Sequence, residues 1–245
     1  MLPKSQLKLI TSLAQKKYRK EHGLFIAEGF KTVTELMESR LKLQHLYISN
    51  PVHASLNKNH TLISEKDLKK ISQLKTPAEI LGIYHIPGSR PIETNALVIA
   101  LDDVRDPGNL GTIIRLCDWF GVRDLVCSHN TVDCYNPKVV QATMGSLSRV
   151  NISYVNLSEF LQKNEDTSII GTFMDGRNIY KEMLPTKGVL IMGNEANGIR
   201  DEIANLVDNK ITIPRFGEKN VTESLNVATA TAIILSEFRR ASIEM

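Results

Sequence analysis

Short apolar runs alternate with helical patterns along the chain, and a stretch with two prolines and a glycine, His85 to Asn95, divides the pattern into two blocks. In the first block the predicted strands are 23–29, 43–49, 61–64 and 80–86, and the predicted helices are 4–19, 30–39 and 65–74. This block is predicted to be a small α/β domain. We interpret the proline-containing stretch as a linker, and expect domains at 1–88 and 96–245 joined by 89–95.

The second block shows the alternation more clearly. Its predicted strands are 96–102, 124–128, 151–155, 168–173, 188–193 and 210–214, and its predicted helices are 110–120, 137–149, 157–163, 200–207 and 223–240. Near-continuous apolar strands that alternate with helices predict a parallel sheet covered on both faces. In such sheets ligands bind beyond the carboxyl ends of the strands, so a site is expected in the loops that follow them.

Length and composition place the chain among globular proteins. Its 245 residues are enough for one large domain or two small ones. No apolar run approaches the roughly 20 residues of a membrane span, and the first residues lack the apolar core of a secretory signal, so we expect a cytoplasmic location. The three cysteines form no Cys-x-x-Cys pair and predict neither a metal site nor a disulfide framework.

The charges are distributed unevenly. Residues 1–90 carry 15 Lys and Arg against 7 Asp and Glu, whereas residues 91–245 carry 15 against 20. The first 20 positions contain no acidic residue and six basic ones, namely Lys4, Lys8, Lys16, Lys17, Arg19 and Lys20. This asymmetry favours contact between the first domain and a polyanion such as a nucleic acid. The alternative is a solvated helix face.

The first loop of interest joins the strand at 96–102 to the helix at 110–120 through Asp-Pro-Gly-Asn-Leu-Gly. Asn109 is the predicted N-cap of this helix. The apolar residues between Leu110 and Phe120 fall on one face, and Arg115 and Trp119 lie nearly opposite. An exposed Trp beside an Arg predicts a partner surface for a ligand or another subunit. The alternative is a surface Arg that stacks on Trp119.

The second loop, Gly193-Asn194-Glu195-Ala196-Asn197-Gly198, follows the strand at 188–193. Its two glycines allow the backbone to approach a ligand closely. Neither a Walker loop nor a G-x-G-x-x-G turn is present, so an ordinary nucleotide or Rossmann-type site is not expected. Glu195 is either part of the site or only an acid at the start of a helix.

The third loop follows the strand at 210–214 and leads to Ser224-Leu225-Asn226. The helix predicted after it is apolar on nearly every side, which requires burial in a core or in a subunit interface. Ser224 is a candidate N-cap for this helix.

Together the three loops resemble the motifs of the SpoU (TrmH) family of RNA ribose 2′-O-methyltransferases, in the SPOUT superfamily. DPGNLGTIIRLCDWFGV resembles motif 1, LIMGNEANGI motif 2, and ITIPRFGEKNVTESLNVATATAIILSE motif 3, in the order of the family. GTFMDGRNIY stands where the family has a further strand and loop. The first block, with YRKEHGLFIAEGFKTVTELMES, resembles the ribosomal-protein-like substrate-binding domain that many members carry.

The resemblance implies an α/β fold with a deep trefoil knot, which is rare among proteins. It also implies a homodimer that binds S-adenosylmethionine in the knot, without a metal. The implied cofactor-binding residues are Thr172, Gly193, Ile213 and Leu225, with Gly193 leaving room for the cofactor. The implied catalytic residues are Asn109, Arg115, Glu195, Ser224 and Asn226.

The implied reaction is attack by a ribose 2′-hydroxyl on the methyl carbon of a sulfonium, in which alignment contributes roughly 7–11 kcal/mol. The family often assigns Arg115 as the base, yet a guanidinium has a pKa above about 12. The alternative is that Arg115 grips a phosphate and orients the ribose. The separate first domain favours ribosomal RNA over transfer RNA. A rival from another class is a non-catalytic RNA-binding protein on this scaffold.

Overall fold

The structure is a computed structural model that describes residues 2–217 and 224–243. Residues 218–223, which include the loop of the third motif and the predicted helix start at 223, lie outside this part. The chain forms two compact units, one of Met1–Ser89 with Asp133–Arg149 and the other of Arg90–Val132 with Val150–Met245. Within the described part, no helix combines the length and the apolar character needed to cross a membrane.

Helices and strands alternate in both units. In chain order the helices are α1 (Lys4–Ser12), α2 (Lys16–His22), α3 (Phe30–Met37), α4 (Glu65–Ile71), α5 (Pro107–Trp119), α6 (Pro137–Thr143), α7 (Leu157–Gln162), α8 (Asp201–Ala204) and α9 (Val227–Ile243). The strands are β1 (Leu24–Glu28), β2 (Leu43–Ile48), β3 (His60–Leu62), β4 (Ile80–His85), β5 (Leu97–Leu101), β6 (Asp124–Ser128), β7 (Asn151–Val155), β8 (Ile169–Asn178), β9 (Gly188–Met192) and β10 (Asn209–Thr212). Short 3-10 turns cover Pro51–Leu56, Ser146–Ser148 and Ile179–Lys181.

The first unit contains a four-stranded sheet in the order β1-β4-β2-β3. Strand β4 is antiparallel to β1 and β2, and β3 is parallel to β2. On one face, α1 and α4 contribute Ile10, Leu68 and Ile71 to a buried apolar cluster. On the other, the Tyr84 hydroxyl donates a hydrogen bond of 2.8 Å to the Val33 carbonyl of α3. The small α/β domain predicted from the sequence is confirmed.

The single helix predicted at 4–19 is two helices in the structure, because α1 ends at Ser12 and α2 begins at Lys16. Two hydroxyls bond back to carbonyls within the last turns of α1. Thr11 Oγ1 donates to the Leu7 carbonyl at 2.8 Å, and Ser12 Oγ donates to the Leu9 carbonyl at 2.7 Å. Such side-chain bonds compete with helix continuation, which periodicity alone does not register.

Arg19 holds the connection between α1 and α2 in place. Its side chain is almost completely buried, and its guanidinium donates to the carbonyls of Leu13 and Ala14 at 2.9 and 2.8 Å. Its Nε also donates to the Asp133 carboxylate at 2.9 Å. The sequence placed Arg19 among six basic residues of a candidate nucleic-acid surface, but the structure makes it an internal cation of the first unit.

The second unit contains a six-stranded sheet in the order β10-β8-β9-β5-β6-β7, in which all paired strands are parallel. Val98, Ala100 and Val189 face a cluster that includes residues of α7 and α8. The alternate residues Ile99 and Leu101 are also buried, so both faces are covered. The predicted parallel sheet is confirmed, and β8 runs on to Asn178. The trefoil knot stays a prediction.

The segment around α6 belongs to the first unit rather than to the second, in which the predicted domain 96–245 would place it. The Tyr135 ring lies 4.8 Å from the Phe25 ring of β1, and Val139 and Val140 are buried. The helix predicted at 137–149 ends at Thr143 because the next residue, Met144, adopts a left-handed backbone, with φ at 51°. Helical periodicity indicates a buried face, but not which sheet covers that face.

Replacing Arg19 with Ala is expected to lower the free energy of unfolding by about 3–5 kcal/mol, because the Asp133 carboxylate and two carbonyls lose their donor. Lys20→Ala is the matched control, since this neighbouring side chain is exposed and its loss should change stability by less than about 0.5 kcal/mol. Urea unfolding followed by circular dichroism measures both. Equal losses in the two variants would contradict the internal role of Arg19.

Candidate active site

The described parts of the three loops identified in the sequence lie at one edge of the second unit's sheet. They follow β5, β9 and β10, which are parallel, so their carboxyl ends point the same way. Strand β5 is a direct neighbour of β9, and β8 lies between β9 and β10. Residues distant in the sequence are thereby brought to the edge at which parallel sheets bind ligands.

Asp106, and not Asn109, caps α5. The helix begins at Pro107, and the Asp106 carboxylate accepts a hydrogen bond of 2.8 Å from the backbone N–H of Asn109. Proline suits the first helical position because its missing N–H would have no helical partner there. The predicted N-cap role of Asn109 is therefore wrong, and its side-chain amide is available for other contacts.

The Asn109 amide joins the other two loops. Its Nδ2 donates to Glu195 Oε1 at 2.8 Å, and its Oδ1 accepts from Asn226 Nδ2 at 2.8 Å. Three of the five predicted catalytic residues thus form one hydrogen-bonded chain. Glu195 makes a specific contact in this chain, which argues against its being only an acid at the start of a helix.

Asn226, and not Ser224, caps α9. Its Oδ1 accepts hydrogen bonds from the backbone N–H groups of Ala228 at 2.9 Å and Thr229 at 3.2 Å. The same side chain therefore caps α9 and contacts Asn109, which fixes the start of α9 relative to α5. The helix-capping interpretation of Ser224 is wrong, and Ser224 is instead exposed and lines a cavity.

This cavity has a volume of about 1020 Å³ and is formed by β8, the loops after β9 and β10, and the start of α9. All four residues predicted to bind a cofactor line it, namely Thr172, Gly193, Ile213 and Leu225. Glu195 and Ser224 line it as well. Thr172 is half-buried, and its hydroxyl is occupied by a hydrogen bond of 3.1 Å to the Ile191 carbonyl. The backbone around Thr172 is thus more available to a ligand than its hydroxyl.

Asn194 shapes the loop after β9, a role that the sequence analysis did not assign. Its Oδ1 accepts from the backbone N–H groups of Ala196 at 2.9 Å and Asn197 at 3.1 Å. Its Nδ2 donates to the Asp103 carbonyl at 2.7 Å, which connects this loop to the loop after β5. An Asn one residue after a strand, in a short glycine-bounded loop, is typical of such a side-chain-stabilised turn.

Two acidic residues that follow β5, Asp102 and Asp103, hold neighbouring segments in place at the same edge of the sheet. The fully buried Asp102 carboxylate accepts from the backbone N–H and Nε of Arg200, both at 2.8 Å, and holds the start of α8. The hydrogen bond that the Arg200 side chain donates to Asp102 is the main cause that raises the pKa of Arg200. Asp103 has a left-handed backbone, with φ at 61°. Burial raises the pKa of Asp103, but hydrogen bonds from Ser128 and other neighbours outweigh it, and its net pKa is lowered.

Gly193 is required by the loop itself. A Cβ on this residue would lie 2.4 Å from the carbonyl carbon of Gly198 and 2.5 Å from the nitrogen of Ile199. The N–H groups of Asn194 and Gly198 bond to each other's carbonyls at 2.9 and 3.0 Å, which draws the two ends of the loop together. The sequence analysis explained Gly193 by the room that it leaves for a cofactor. The close backbone contact explains the need for glycine at this position even when no cofactor is considered.

Arg115 and Trp119 lie on the exposed face of α5, as the helical pattern predicts. Trp119 is 83% exposed, whereas Ile113, Ile114 and Cys117 are fully buried on the opposite side. Among the residues that the structure describes, the Arg115 guanidinium forms no hydrogen bond, ion pair or cation–π contact, so the predicted alternative of stacking on Trp119 is not observed. Arg115 is not among the residues that line the cavity.

The cysteines take no part in this site. Cys117, Cys127 and Cys134 are all buried, and none of the three forms a disulfide. Burial raises the pKa of the Cys117 thiol, which disfavours the reactive thiolate. Within residues 2–217 and 224–243, no cluster of three His, Cys, Asp or Glu side chains is suited to holding a metal ion.

Family comparisons match both blocks of the sequence. Residues 96–236 match the sequence model of the SpoU rRNA Methylase family, which covers more than half of the chain. The chain belongs to the SpoU rRNA methylase family. Residues 4–82 match the MRM3-like substrate binding domain. All three loops lie within the residues that match the SpoU rRNA Methylase family.

The likeness to other SpoU proteins spans both units. The 23S rRNA (guanosine(2553)-2'-O)-methyltransferase RlmP of Bacillus subtilis is 29% identical over 234 residues, which is 93% of each chain. A proposed RNA methyltransferase of the TrmH family from Porphyromonas gingivalis has a structure with a TM-score of 0.89 and 35% identity, covering 98% of this chain and 99% of that one. The AdoMet-bound rRNA methyltransferase from Sinorhizobium meliloti has a TM-score of 0.87 and 31% identity, covering 98% and 96%.

Gly193→Ala is expected to open the loop after β9, because the new Cβ would overlap the backbone of Gly198. Gly198→Ala is the matched control. A Cβ there would meet nothing within 4 Å, so only the left-handed φ of 69° opposes it, at a cost of about 1–2 kcal/mol. Hydrogen exchange of the Asn194 and Gly198 amides should accelerate more in Gly193→Ala. Equal exchange in the two variants would refute the packing requirement.

Proposed function

We propose that this SpoU protein is an S-adenosylmethionine-dependent RNA methyltransferase that acts on a ribose 2′-hydroxyl in ribosomal RNA. The observation that carries the proposal is the hydrogen-bonded chain Glu195–Asn109–Asn226 beside the cavity. This chain unites residues of all three family motifs. Because each motif supplies one member, the arrangement is difficult to explain as the by-product of packing in one loop.

The cavity suits S-adenosylmethionine. Its volume of about 1020 Å³ is at the upper end of the ~300–1,000 Å³ usual for small-molecule sites, which leaves space for a cofactor together with part of a substrate. Ile213 and Leu225 offer apolar walls for the adenine, and the backbone near Thr172 and Gly193 offers polar groups. When bound, S-adenosylmethionine supplies an activated methyl group on a sulfonium.

In this proposal the residues of the chain align the substrate. Asn109, held between Glu195 and Asn226, keeps its amide in a fixed direction at the edge of the sheet. Ser224 and Glu195 present polar groups to the cavity in which the ribose hydroxyl is to be placed. Fixed alignment of this kind is the main contribution that a protein can make when the leaving group is already activated.

Arg115 is proposed to bind a substrate phosphate and to orient the ribose. Its guanidinium has no protein partner in the described part of the chain, so it is available to an anion. A guanidinium binds phosphate through two parallel N–H donors and stays protonated at neutral pH, which suits it to positioning rather than to removing a proton. Assigning Arg115 as the base is the alternative.

Ribosomal RNA is the proposed substrate class, with transfer RNA as the alternative within the family. The support is the similarity over 93% of both chains to an enzyme named for 23S rRNA, together with the match of residues 4–82 to a substrate-binding domain. We propose that this domain, residues 1–88, holds RNA through exposed lysines such as Lys4, Lys8 and Lys20.

A homodimer formed through residues 96–245 is also proposed. Its support is the 83% exposure of Trp119 on α5, since a large apolar side chain at a surface indicates a partner. Ile233 of α9 is only half-buried in the single chain, which fits a helix that completes its burial against a second copy. We propose the cytoplasm as the compartment because ribosomal RNA and S-adenosylmethionine meet there.

Mapping ribose methylation in ribosomal and transfer RNA, from cells with and without this protein, tests the substrate class. At least one ribose in ribosomal RNA is expected to lose its methyl group without the protein. Incubation of that RNA with the purified chain and S-adenosylmethionine should restore the group. A change confined to transfer RNA would favour the tRNA alternative. No change in either RNA would favour the non-catalytic RNA-binding protein.

Arg115→Ala is expected to lower the rate of methyl transfer by about 10²- to 10³-fold, the cost of removing one positioned charge donor from a transition state. Binding of S-adenosylmethionine should be unchanged, since Arg115 does not line the cavity. Arg123→Ala, which removes another exposed arginine of the same unit, is the control. Calorimetry and single-turnover methylation separate the two effects. A normal rate in Arg115→Ala would refute both roles considered for it.

A further inference from the structure

An exposed aromatic ring lies at one end of the first unit's sheet. Phe30, the first residue of α3, is 55% exposed and follows β1 after the single residue Gly29. Val52, in the turn after β2, is 69% exposed. Phenylalanine side chains are mostly buried in globular proteins, so a ring held in solvent is a candidate contact surface.

His53 supports the Phe30 ring from one side. The two rings have centroids 5.5 Å apart at an angle of 37°. His53 Nε2 lies 3.0 Å from a Glu79 carboxylate oxygen, and Asn50 Nδ2 donates to the same carboxylate at 3.3 Å. The exposed ring is therefore backed by a side chain that is itself fixed by polar contacts.

The segments around Phe30 are tied to one another by further hydrogen bonds. The buried Glu28 carboxylate accepts from the Ser72 hydroxyl and, at 2.7 Å, from the Gln73 backbone N–H. The Glu79 carbonyl accepts from Ser49 at 2.9 Å. These bonds fix the segment between α4 and β4 against the ends of β1 and β2. A surface ordered before binding loses less conformational entropy on binding.

Charge and shape indicate which partner fits this surface. Lys31 is exposed beside Phe30, and no side chain caps the N-terminus of α3 at Gly29. Residues 1–90 carry 15 basic against 7 acidic residues. A single ring next to His53 and Lys31 offers too little apolar area for an apolar helix or peptide. It matches a single nucleobase, which stacks on a flat ring while a cation contacts its phosphate.

We propose that Phe30 is a stacking platform for one unpaired base of the RNA substrate, and that Lys31 contacts an adjoining phosphate. The inference rests on the proposed function, in that the substrate is RNA. It adds a specific requirement, because a base inside a continuous duplex cannot reach an aromatic side chain. The first unit would therefore select RNA that has an unpaired nucleotide at a set position.

The probes for the test are a fluorescently labelled RNA hairpin with a single-stranded loop and a blunt RNA duplex of equal length. The full chain should bind the hairpin more tightly than the duplex. Phe30→Ala should weaken hairpin binding by about 5- to 150-fold, which corresponds to roughly 1–3 kcal/mol of stacking per base. Leu62→Ala is the matched control, because Leu62 is also 55% exposed in the same unit but offers no ring. It should bind both RNAs like the unchanged chain.

Two conservative variants separate stacking from general apolar contact. Phe30→Tyr keeps the ring and should retain hairpin binding, whereas Phe30→Leu keeps an apolar side chain without a ring and should behave like Phe30→Ala. Thermal unfolding shows whether each variant is folded. If Phe30→Ala is unstable, comparison of Phe30→Tyr with Phe30→Leu still tests whether the ring stacks on a base. Retained binding in Phe30→Leu would overturn the stacking role.

Salt dependence distinguishes the ring from the neighbouring charge. Phe30→Ala should leave the slope of log affinity against log salt unchanged, because no phosphate contact is lost. Lys31→Ala should reduce that slope by about 0.7, the value for one contact to single-stranded nucleic acid. An equal loss of slope in Phe30→Ala would overturn the assignment of the ring to a base.

Failure of this inference can be told apart from failure of the proposed function. If the unchanged chain methylates ribosomal RNA but binds hairpin and duplex equally, or if Phe30→Ala binds normally, only the stacking platform is overturned. If the chain binds neither RNA and transfers no methyl group, both are overturned. S-adenosylmethionine binding, measured by calorimetry, should be the same in every variant, and its loss in Phe30→Ala would also count against a local RNA contact.

Discussion

The hydrogen bonds of the Asn109 amide hold the candidate site together. One side chain contacts Glu195 after β9 and Asn226 before α9, so three separate loops share a single fixed point. This contact exists because Asp106 caps α5 and leaves the Asn109 side chain free. Asn226 likewise serves both as a helix cap and as a partner of Asn109. The geometry of the site therefore depends on which polar side chain accepts hydrogen bonds from the N–H groups at the start of each helix, Asp106 for α5 and Asn226 for α9.

Buried and exposed charges have different roles in this chain. Asp102 with Arg200, and Arg19 with Asp133, are paired inside their units, where they set the positions of loops and connections. A buried charge persists only with partners of this kind, because desolvation strongly disfavours an unpaired one. Arg115 and lysines such as Lys4, Lys8 and Lys20 are exposed instead. They are the cations proposed to contact an anionic substrate, and burial distinguishes the two groups of charges more clearly than net charge does.

Residues proposed to contact a ligand, such as Glu195 and Phe30, follow the ends of strands in both units, beside segments whose backbone is fixed by side-chain hydrogen bonds. Asn194 and Gly193 shape the loop after β9 in the second unit, and Glu28 fixes the segment after α4 in the first. Asn194 and Glu28 order these segments without being proposed to contact the ligand, whereas Gly193 both shapes its loop and lines the cavity. Such a division lets the contacting side chains stay exposed while the surrounding backbone remains ordered.

Local sequence patterns predict the α/β class, the parallel sheet, the ten strands found among the described residues and the buried face of α5. These follow from local periodicity, since burial of one face dictates which positions are apolar. The four residues expected to bind a cofactor, Thr172, Gly193, Ile213 and Leu225, all line one cavity, and their role in binding stays a prediction. Three features are apparent only in the folded chain: Asp106 caps α5, Arg19 is internal, and α6 belongs to the first unit. Each of these depends on contacts between residues far apart in the chain, or on competition between neighbouring polar groups, and a one-dimensional pattern contains neither.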